Sequence, residues 1–417
     1  MSCLTNLTRM YLTRSTKPFQ FKSEADDLLP YNTCNQLGLY VHIPFCKSIC
    51  NFCPYCKTIY DTEKCNQYIN ALLEEITMVA KQSPDKKTVT SLYIGGGTPA
   101  LAIDHLSKII DTISQYFIIT EGIGIELHPD DVTIPLLKKL KAAGITKISI
   151  GIQSFLNKYQ TVLKRKAIDL NKLQTSLASI NFETVSMDFI FALPDQTFSD
   201  LKADIDMAFK LGANHIAIYP FIDFTFTTSK VKTMKKKKKR QLLDQITLYC
   251  LKQGYQRTSI WTFANNKNAL YSSMTRNNFL GFGTSATTLL NDQFKINTFS
   301  IEEYCNRINH KKLPTSLTLR FTVRQRMIYY LFWNAYGMEI NSDDFKQFFN
   351  VSLNKMYGLE LTIARILGFL TKENNCYKLT LKGAFYYHYY ENFYTLAYID
   401  KMWGLLKDEA FPAKMDL

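Results

Sequence analysis

No stretch of this sequence approaches eighteen consecutive apolar residues, so a bilayer-crossing helix is not indicated. Nothing at the N-terminus joins a basic start to a long apolar run, since Met1 to Lys22 is interrupted by Thr, Arg, Ser and Lys. A secretory leader is therefore not read there, and the chain is expected to be cytoplasmic. No internal repeat is evident. Acidic residues are in deficit, 36 against 50 basic ones, which leaves a formal charge of +14. Much of the excess lies in Lys232 and the run from Lys235 to Arg240. A solvated connector accounts for that run. No RNA-binding or helix-turn-helix signature surrounds it, so nucleic acid is given no role. The basic balance does suit anionic ligands, among them a substrate carrying several carboxylates.

What is present is a large apolar content, 46% of 417 residues, enough for one big domain with an appendage or two of medium size. There are ten cysteines, and four of them crowd into residues 46–56. In a long chain read as having no leader, that crowding favours metal binding in a reducing compartment over a disulfide framework. Cys46, Cys50 and Cys53 are spaced C-x3-C-x2-C, which suits one cuboidal iron–sulfur cluster. A [4Fe–4S] cluster is usually held by four thiolates. A loop offering three leaves one iron open to a substrate or cofactor. Cys56 follows in Cys53-Pro-Tyr-Cys56, which alone would also fit a zinc knuckle or redox pair, but no second pair completes a zinc site. Cys3, Cys34, Cys65, Cys250, Cys305 and Cys376 read as buried or incidental thiols.

After Pro30, short β-rich runs alternate with longer helical patterns, the mark of repeated βα units and a parallel sheet. Strands are expected at 38–43, 90–94, 124–127, 147–150, 184–190 and 215–219. Helical spacing lies between them, as in Leu106, Ile109, Ile110 and Ile113. Six such units make a partial barrel, and ligands bind such sheets beyond the C-terminal strand ends. The notable residues fall there: the cysteine loop after the first strand, Gly95-Gly-Gly-Thr-Pro99 after the second, Glu126-Leu-His-Pro129 at the third, Gly151-Ile-Gln-Ser154 at the fourth and Asp188 in the fifth. From about Leu317 the chain turns aromatic and helical. Helix 361–367, strand 369–371, a Glu-Asn-Asn turn, strand 377–379 and a further helix then follow in the order of a winged helix.

Several motifs carry a resemblance to a known family. They are Tyr40-Val-His-Ile-Pro-Phe-Cys46 with its following cysteines, Ile94-Gly-Gly-Gly-Thr-Pro99, Ser149-Ile-Gly-Ile-Gln-Ser-Phe155, Asp188-Phe-Ile-Phe-Ala-Leu-Pro194 and Leu280-Gly-Phe-Gly-Thr-Ser-Ala286. Over roughly residues 37–300 the chain resembles the oxygen-independent coproporphyrinogen III oxidase-like family of radical S-adenosylmethionine (SAM) enzymes. The resemblance implies an α/β fold, a partial (β/α)6 TIM-like barrel of the radical SAM type with a C-terminal, mostly helical, winged-helix-like domain. The expected divisions are an extension at 1–36, the barrel with its family-specific extension at 37–316 and the C-terminal domain at 317–417. It also implies a [4Fe–4S] cluster on Cys46, Cys50 and Cys53, with one or two SAM molecules. Reductive cleavage of SAM at the cluster gives a 5′-deoxyadenosyl radical, and an electron donor such as flavodoxin or ferredoxin supplies the electron.

By the same resemblance, Tyr40 and Phe52 flank the cluster and cofactor, although as aromatics they equally suit a core. Gly96, Gly97 and Thr98 are expected to cradle the methionine end of SAM with backbone N–H groups and a hydroxyl. Glu126, Gln153, Arg165 and Asp188 match positions that contact SAM in the family, with Arg165 suited to a carboxylate. No residue is assigned a catalytic role. His42 is read as a structural histidine ahead of a proton carrier, and His128 is left undecided. The family reaction is oxidative decarboxylation of a tetrapyrrole propionate in porphyrin biosynthesis, and relatives open the heme ring or transfer methyl groups. Its porphyrinogen oxidases have a further cysteine two positions after the third ligand, whereas here Cys56 stands three positions on. Its heme chaperone branch carries a His-Asn-x-x-Tyr-Trp motif that residues 269–279 lack, which argues against that branch. Arg276 in that stretch is a candidate for a substrate carboxylate. The tail Phe385-Tyr-Tyr-His-Tyr-Tyr390 suits an interdomain seam ahead of a macrocycle pocket with His388 as heme ligand. Alternatives of another class are a heme-binding or trafficking protein and a cluster-sensing DNA-binding regulator.

Overall fold

The computed structural model describes residues 3–24, 27–265 and 277–417. All six expected strands are present, each within a few residues of its expected limits: Leu37–Ile43, Leu92–Gly96, Ile123–Leu127, Lys147–Gln153, Thr184–Phe191 and His215–Pro220. They lie side by side in sequence order and run parallel. Parallel strands covered on both faces read as nearly unbroken apolar runs, and Leu37, Leu39, Val41 and Ile43 are all buried in the first. Helices cover the outside. The helix Thr62–Ala80 starts where the Asp61 carboxylate accepts from the Lys64 N–H at 2.9 Å and turns Tyr68, Leu72, Ile76 and Val79 inward at helical spacing. A capping box of Thr197 and Asp200 begins the helix Phe198–Lys210.

The sheet does not stop at six strands. Asn278–Phe282 pairs parallel with the first strand on its other side, and the antiparallel strands Thr287–Leu290, Gln293–Asn297 and Thr315–Arg320 continue from it. Gln20–Lys22 then pairs with Thr315–Arg320, and Lys414–Asp416 pairs with Gln20–Lys22. The division expected at 316/317 thus falls within a strand, and segments from the expected N-terminal extension and the last residues share the main sheet. Phe21, Leu289, Ile296, Leu317, Leu319, Met415 and Leu417 close a second core there.

Residues 323–394 give the winged-helix order. A three-stranded antiparallel sheet of Glu339–Asn341, Cys376–Leu379 and Leu370–Glu373 packs with the helices Val323–Tyr336, Ser342–Phe349 and Leu353–Ile366. Tyr330, Ile340, Phe345, Leu353, Tyr357 and Tyr377 form its core. The helix Leu381–Tyr394 carries the aromatic tail, whose His388 is buried against the barrel. His388 Nδ1 accepts from Trp261 Nε1 at 2.8 Å, and the imidazole lies 6.0 Å from the Phe191 ring. Burial pushes it down to about 3. This is the seam reading of the tail.

Candidate active site

The cysteine loop is closed at its base. Phe45–Cys46 pairs with Thr58–Ile59, Thr58 N donates to Pro44 O at 2.7 Å and Tyr60 N to Cys46 O at 2.9 Å. Cys46 is buried, Cys50 and Cys53 are half-buried, and all three are free thiols. Burial pushes the Cys46 thiol up to about 11, Thr98 opposes the shift, and the neighbouring Cys53 and Cys50 add to it. Burial also raises Cys50, against the Arg165 guanidinium. The thiols therefore stand close enough for each negative charge to oppose the others, which is the donor set a cationic iron cluster rewards. Among the described residues no three His, Cys, Asp or Glu side chains converge on one point as ligands of a single ion would. A cuboidal cluster makes a different demand, because its thiolates are distributed over several irons. One loop whose three thiols lie near enough to act on one another fits it.

The glycine loop packs directly on this loop. A Cβ on Gly97 would lie 2.6 Å from Phe45 O and 2.9 Å from Cys46 Sγ, so only glycine permits the approach. Gly97 N donates to Ile43 O at 2.8 Å, Thr98 N to Phe45 O at 2.7 Å and Gly96 N to Glu126 Oε2 at 3.0 Å. These N–H groups are bonded within the protein, and what the glycines visibly serve is the close approach of the two loops. The Thr98 hydroxyl faces Cys46 Sγ at 3.9 Å.

The Glu126 carboxyl lies near enough to Asp188 to oppose its ionisation. Glu126 Oε1 accepts from Tyr93 OH at 2.9 Å, and its carboxyl is raised by burial against the bonds from Gly96 and Tyr93. Burial raises Asp188 to about 7, Ser149 opposes the shift and Glu126 adds to it. Tyr40 stacks on Tyr93, 6.2 Å between centroids and 16° between planes. Its hydroxyl meets His42 Nδ1 at 3.0 Å, while His42 Nε2 meets Cys56 O at 2.9 Å. Because a carbonyl only accepts, Nε2 carries the hydrogen and Tyr40 OH donates to Nδ1. Burial pushes His42 down to about 4, a neutral structural histidine as expected. Gln153 ends the fourth strand at φ +70°, and Arg165 donates from Nη1 to Gly151 O at 2.6 Å, near enough to the cysteine loop to feel Cys50 and Cys53. Phe52 packs on a small apolar cluster with Tyr159, Ile190, Leu193 and Phe221. His128 accepts from Asp130 N at 3.2 Å as a local cap. The Cys56 thiol points to Phe299 O at 3.2 Å and belongs to the second core. Arg276 lies outside the described residues.

The sequence reading left out an aromatic roof. Tyr55 and Tyr219 are 51% and 37% exposed, yet burial pushes both phenols up and Glu126 and Asp188 both act on each, so the two hydroxyls lie near the carboxyls. The helix Asp400–Asp408 brings Trp403 to 5.7 Å from Tyr55 and stacks it on Phe224 at 6.3 Å and 16°. Asp400 anchors that helix by accepting from Thr225 N and Oγ1, both at 2.7 Å. Tyr93 had a usable signal, being the second-strand residue two before Gly95 and the register partner of Tyr40. Trp403 had none, since its place depends on the C-terminal helix folding back.

Comparison with known proteins gives the same picture. The Radical SAM superfamily description matches residues 40–208. The chain is 29% identical over 310 residues to the heme chaperone HemW of Bacillus subtilis, covering 69% of this chain and 80% of that protein. It is 26% identical over 306 residues to the oxygen-independent coproporphyrinogen III oxidase of Synechocystis, covering 67% of this chain and 66% of that one. The structure of coproporphyrinogen III oxidase (HemN) from Escherichia coli superposes with a TM-score of 0.72 at 22% identity, over 85% of this chain and 88% of that chain, a likeness of fold. Chaperone and oxidase are thus both among its relatives. Residues 40–208 thus match the radical SAM superfamily, and the chain is similar to the oxygen-independent coproporphyrinogen III oxidase-like family, whose cofactors are a [4Fe–4S] cluster and S-adenosylmethionine.

Proposed function

We propose that the chain is a radical SAM oxidoreductase acting on a carboxylate-bearing tetrapyrrole, by oxidative decarboxylation of the coproporphyrinogen III oxidase type. The observation that carries this reading is the gathering of the Cys53 thiol, the Glu126 and Asp188 carboxyls and the Tyr55 ring within one another's electrostatic reach, with Trp403 against Tyr55. When bound, the cluster and SAM supply hydrogen-atom abstraction from an unactivated C–H bond. Cys46, Cys50 and Cys53 are the ligands of the cluster, and Thr98 steadies the Cys46 sulfur. Glu126 and Asp188 accept hydrogen bonds from the amine or ribose hydroxyls of SAM, and Arg165 faces its carboxylate. Tyr40 on Tyr93 forms one wall, with Phe52, Gly96, Gly97 and Gln153 completing the cofactor contacts. The roof excludes water, which a site handling so reactive a species requires. A flat macrocycle suits aromatic walls, and the +14 charge draws its carboxylates.

A second reading, heme trafficking, is favoured by the match over 80% of a heme chaperone's length. It does not run through His388, whose Nδ1 is already taken by Trp261. The two separate in one experiment. Protein reconstituted anaerobically with iron and sulfide, then given reductant, SAM and coproporphyrinogen III, is followed by mass spectrometry, with the triple Cys46→Ala, Cys50→Ala, Cys53→Ala variant beside it. The oxidase reading expects 5′-deoxyadenosine and a tetrapyrrole lighter by carbon dioxide and two hydrogens for each propionate turned to vinyl, from the intact protein alone. An unchanged tetrapyrrole, together with a Soret band on titration with heme, refutes it in favour of trafficking.

A further inference from the structure

A polar layer crosses the interior of the barrel below Asp188. Ser149, Ser186 and His215 lie on the fourth, fifth and sixth strands and are direct register neighbours, Ser149 beside Ser186 and Ser186 beside His215. All three are buried among apolar side chains. Two hydroxyls and an imidazole cost free energy there unless they satisfy one another. They form a chain that ends on the carboxyl above them. Ser149 Oγ donates to Asp188 Oδ2 at 2.9 Å, Ser186 Oγ donates to Asp188 Oδ1 at 3.3 Å, and Ser186 Oγ meets His215 Nδ1 at 2.9 Å.

The strand pairing shows why such support is needed at this position. Met187 pairs with Ile150, but Phe189 pairs with Gln153, so the fourth strand holds one residue more than the fifth opposite Asp188. A bulge re-aims side chains and removes the regular ladder that would otherwise fix them. We infer that Ser149, Ser186 and His215 are positioning residues which hold both oxygens of Asp188 and so set how tightly the chain binds SAM. The inference rests on the proposed contact between Asp188 and SAM.

The proton arrangement follows from the inventory of donors. Ser186 has one hydrogen. It reaches Asp188 only when His215 carries its own hydrogen on Nδ1 and donates to Ser186 Oγ. Burial holds His215 neutral, pushed down to about 4, so one ring hydrogen is available for this at neutral pH. The charged or titratable groups acting on Asp188 from other strands and loops are Glu126, Tyr55 and Tyr219. Both phenols are held neutral at any working pH.

The test is equilibrium dialysis of SAM against the cluster-reconstituted protein between pH 5.5 and 8.5. Losing one hydrogen bond to a charged group corresponds to a weakening of about tenfold, and that is expected of Ser149→Ala and of Ser186→Ala. Both hydroxyls favour the ionised carboxyl, so the midpoint of the pH dependence moves upward in each variant. Ser149→Thr keeps the hydroxyl and is expected to bind within about twofold of the parent, a rescue that loss of packing would not give. Melting curves confirm that each variant is folded, and Ser186→Cys, near in shape but only a weak donor, replaces Ser186→Ala should the latter fail to fold. If both alanine variants bind as the parent does with an unmoved midpoint, while Asp188→Asn loses affinity, the positioning role is wrong and the cofactor contact stands. If Asp188→Asn binds as the parent does, the contact itself is wrong and the inference falls with it.

Discussion

Glu75 shows what one residue far from the cofactors does for the site. It sits fully buried on the helix after the cysteine loop and accepts from Tyr304 OH at 2.6 Å, Gly283 N at 2.7 Å and Asn297 Nδ2 at 3.0 Å. Gly283 adopts φ +99°, and a Cβ there would stand 2.4 Å from the Tyr68 hydroxyl, which donates to His42 O at 2.7 Å. The carboxyl therefore ties the Leu280–Ala286 segment to the strand that carries Tyr40 and His42. Burial raises Glu75 from 4.5 to about 7, against those three hydrogen bonds. A carboxyl raised on folding contributes stability that is fully present below pH 4.5 and lost as pH rises through about 7. Glu75→Gln removes this dependence. Its unfolding free energy relative to the parent is expected to move in its favour by about 3 kcal/mol between pH 5 and pH 8, read from urea denaturation. A pH-independent difference would contradict this. Residues such as Cys46, Glu126 and Asp188 were legible in the sequence because each lies at a strand end within a local motif. Glu75, Ser149 and Ser186 were not, because their partners are fixed by register and by segments as far as 229 residues away.

Elements were legible where their pattern was long. The six parallel strands show in the sequence because burial on both faces makes them largely apolar, interrupted by a few polar residues such as Ser149, Ser186 and His215. The winged-helix strand Glu339–Asn341 does not, having three residues of which Ile340 alone is buried. The contact between the glycine and cysteine loops is an element-scale feature whose cost can be measured. An alanine at position 97 sets its Cβ 2.6 Å from the backbone oxygen of Phe45, an atom that cannot step aside as a flexible side chain would. The loops must part. Gly97→Ala is expected to retain less than about half of the parent's iron and sulfide after reconstitution, and to lose about 1–3 kcal/mol of stability as overpacked interiors do. Iron analysis and thermal melting of the same sample check both, and full cluster content in the variant would show that the close approach is dispensable.

At the scale of the whole molecule, the sequence divides more neatly than the structure does. Positions 20–22 looked like part of an appendage, and nothing local marks Lys414–Asp416 as a strand, yet both belong to the main sheet. Phe19 and Leu417 exchange backbone hydrogen bonds at 2.9 Å in each direction, and Met415 and Leu417 are buried in the second core. Such pairing between distant segments leaves no periodic trace for a reader of the chain. Deleting residues 411–417 uncovers two buried apolar side chains and one face of that core, a loss of about 3–5 kcal/mol. A fall in the urea midpoint of the truncated protein measures it, and an unchanged midpoint would mean that the last strand adds nothing to the sheet.

The same pairing sets an order of events during synthesis. Gln20 and Asp416 meet through a 3.0 Å side-chain hydrogen bond although 396 residues separate them. A ribosome finishes the six barrel strands and the cysteine loop long before it makes Trp403 or the strand that joins Gln20–Lys22. Throughout that interval the loop lacks the Trp403 ring that meets Tyr55. The pairing of Lys414–Asp416 and the contact of Trp403 with Tyr55 both wait for the C-terminal segment, so the aromatic cover of the loop is among the last parts of the molecule to form.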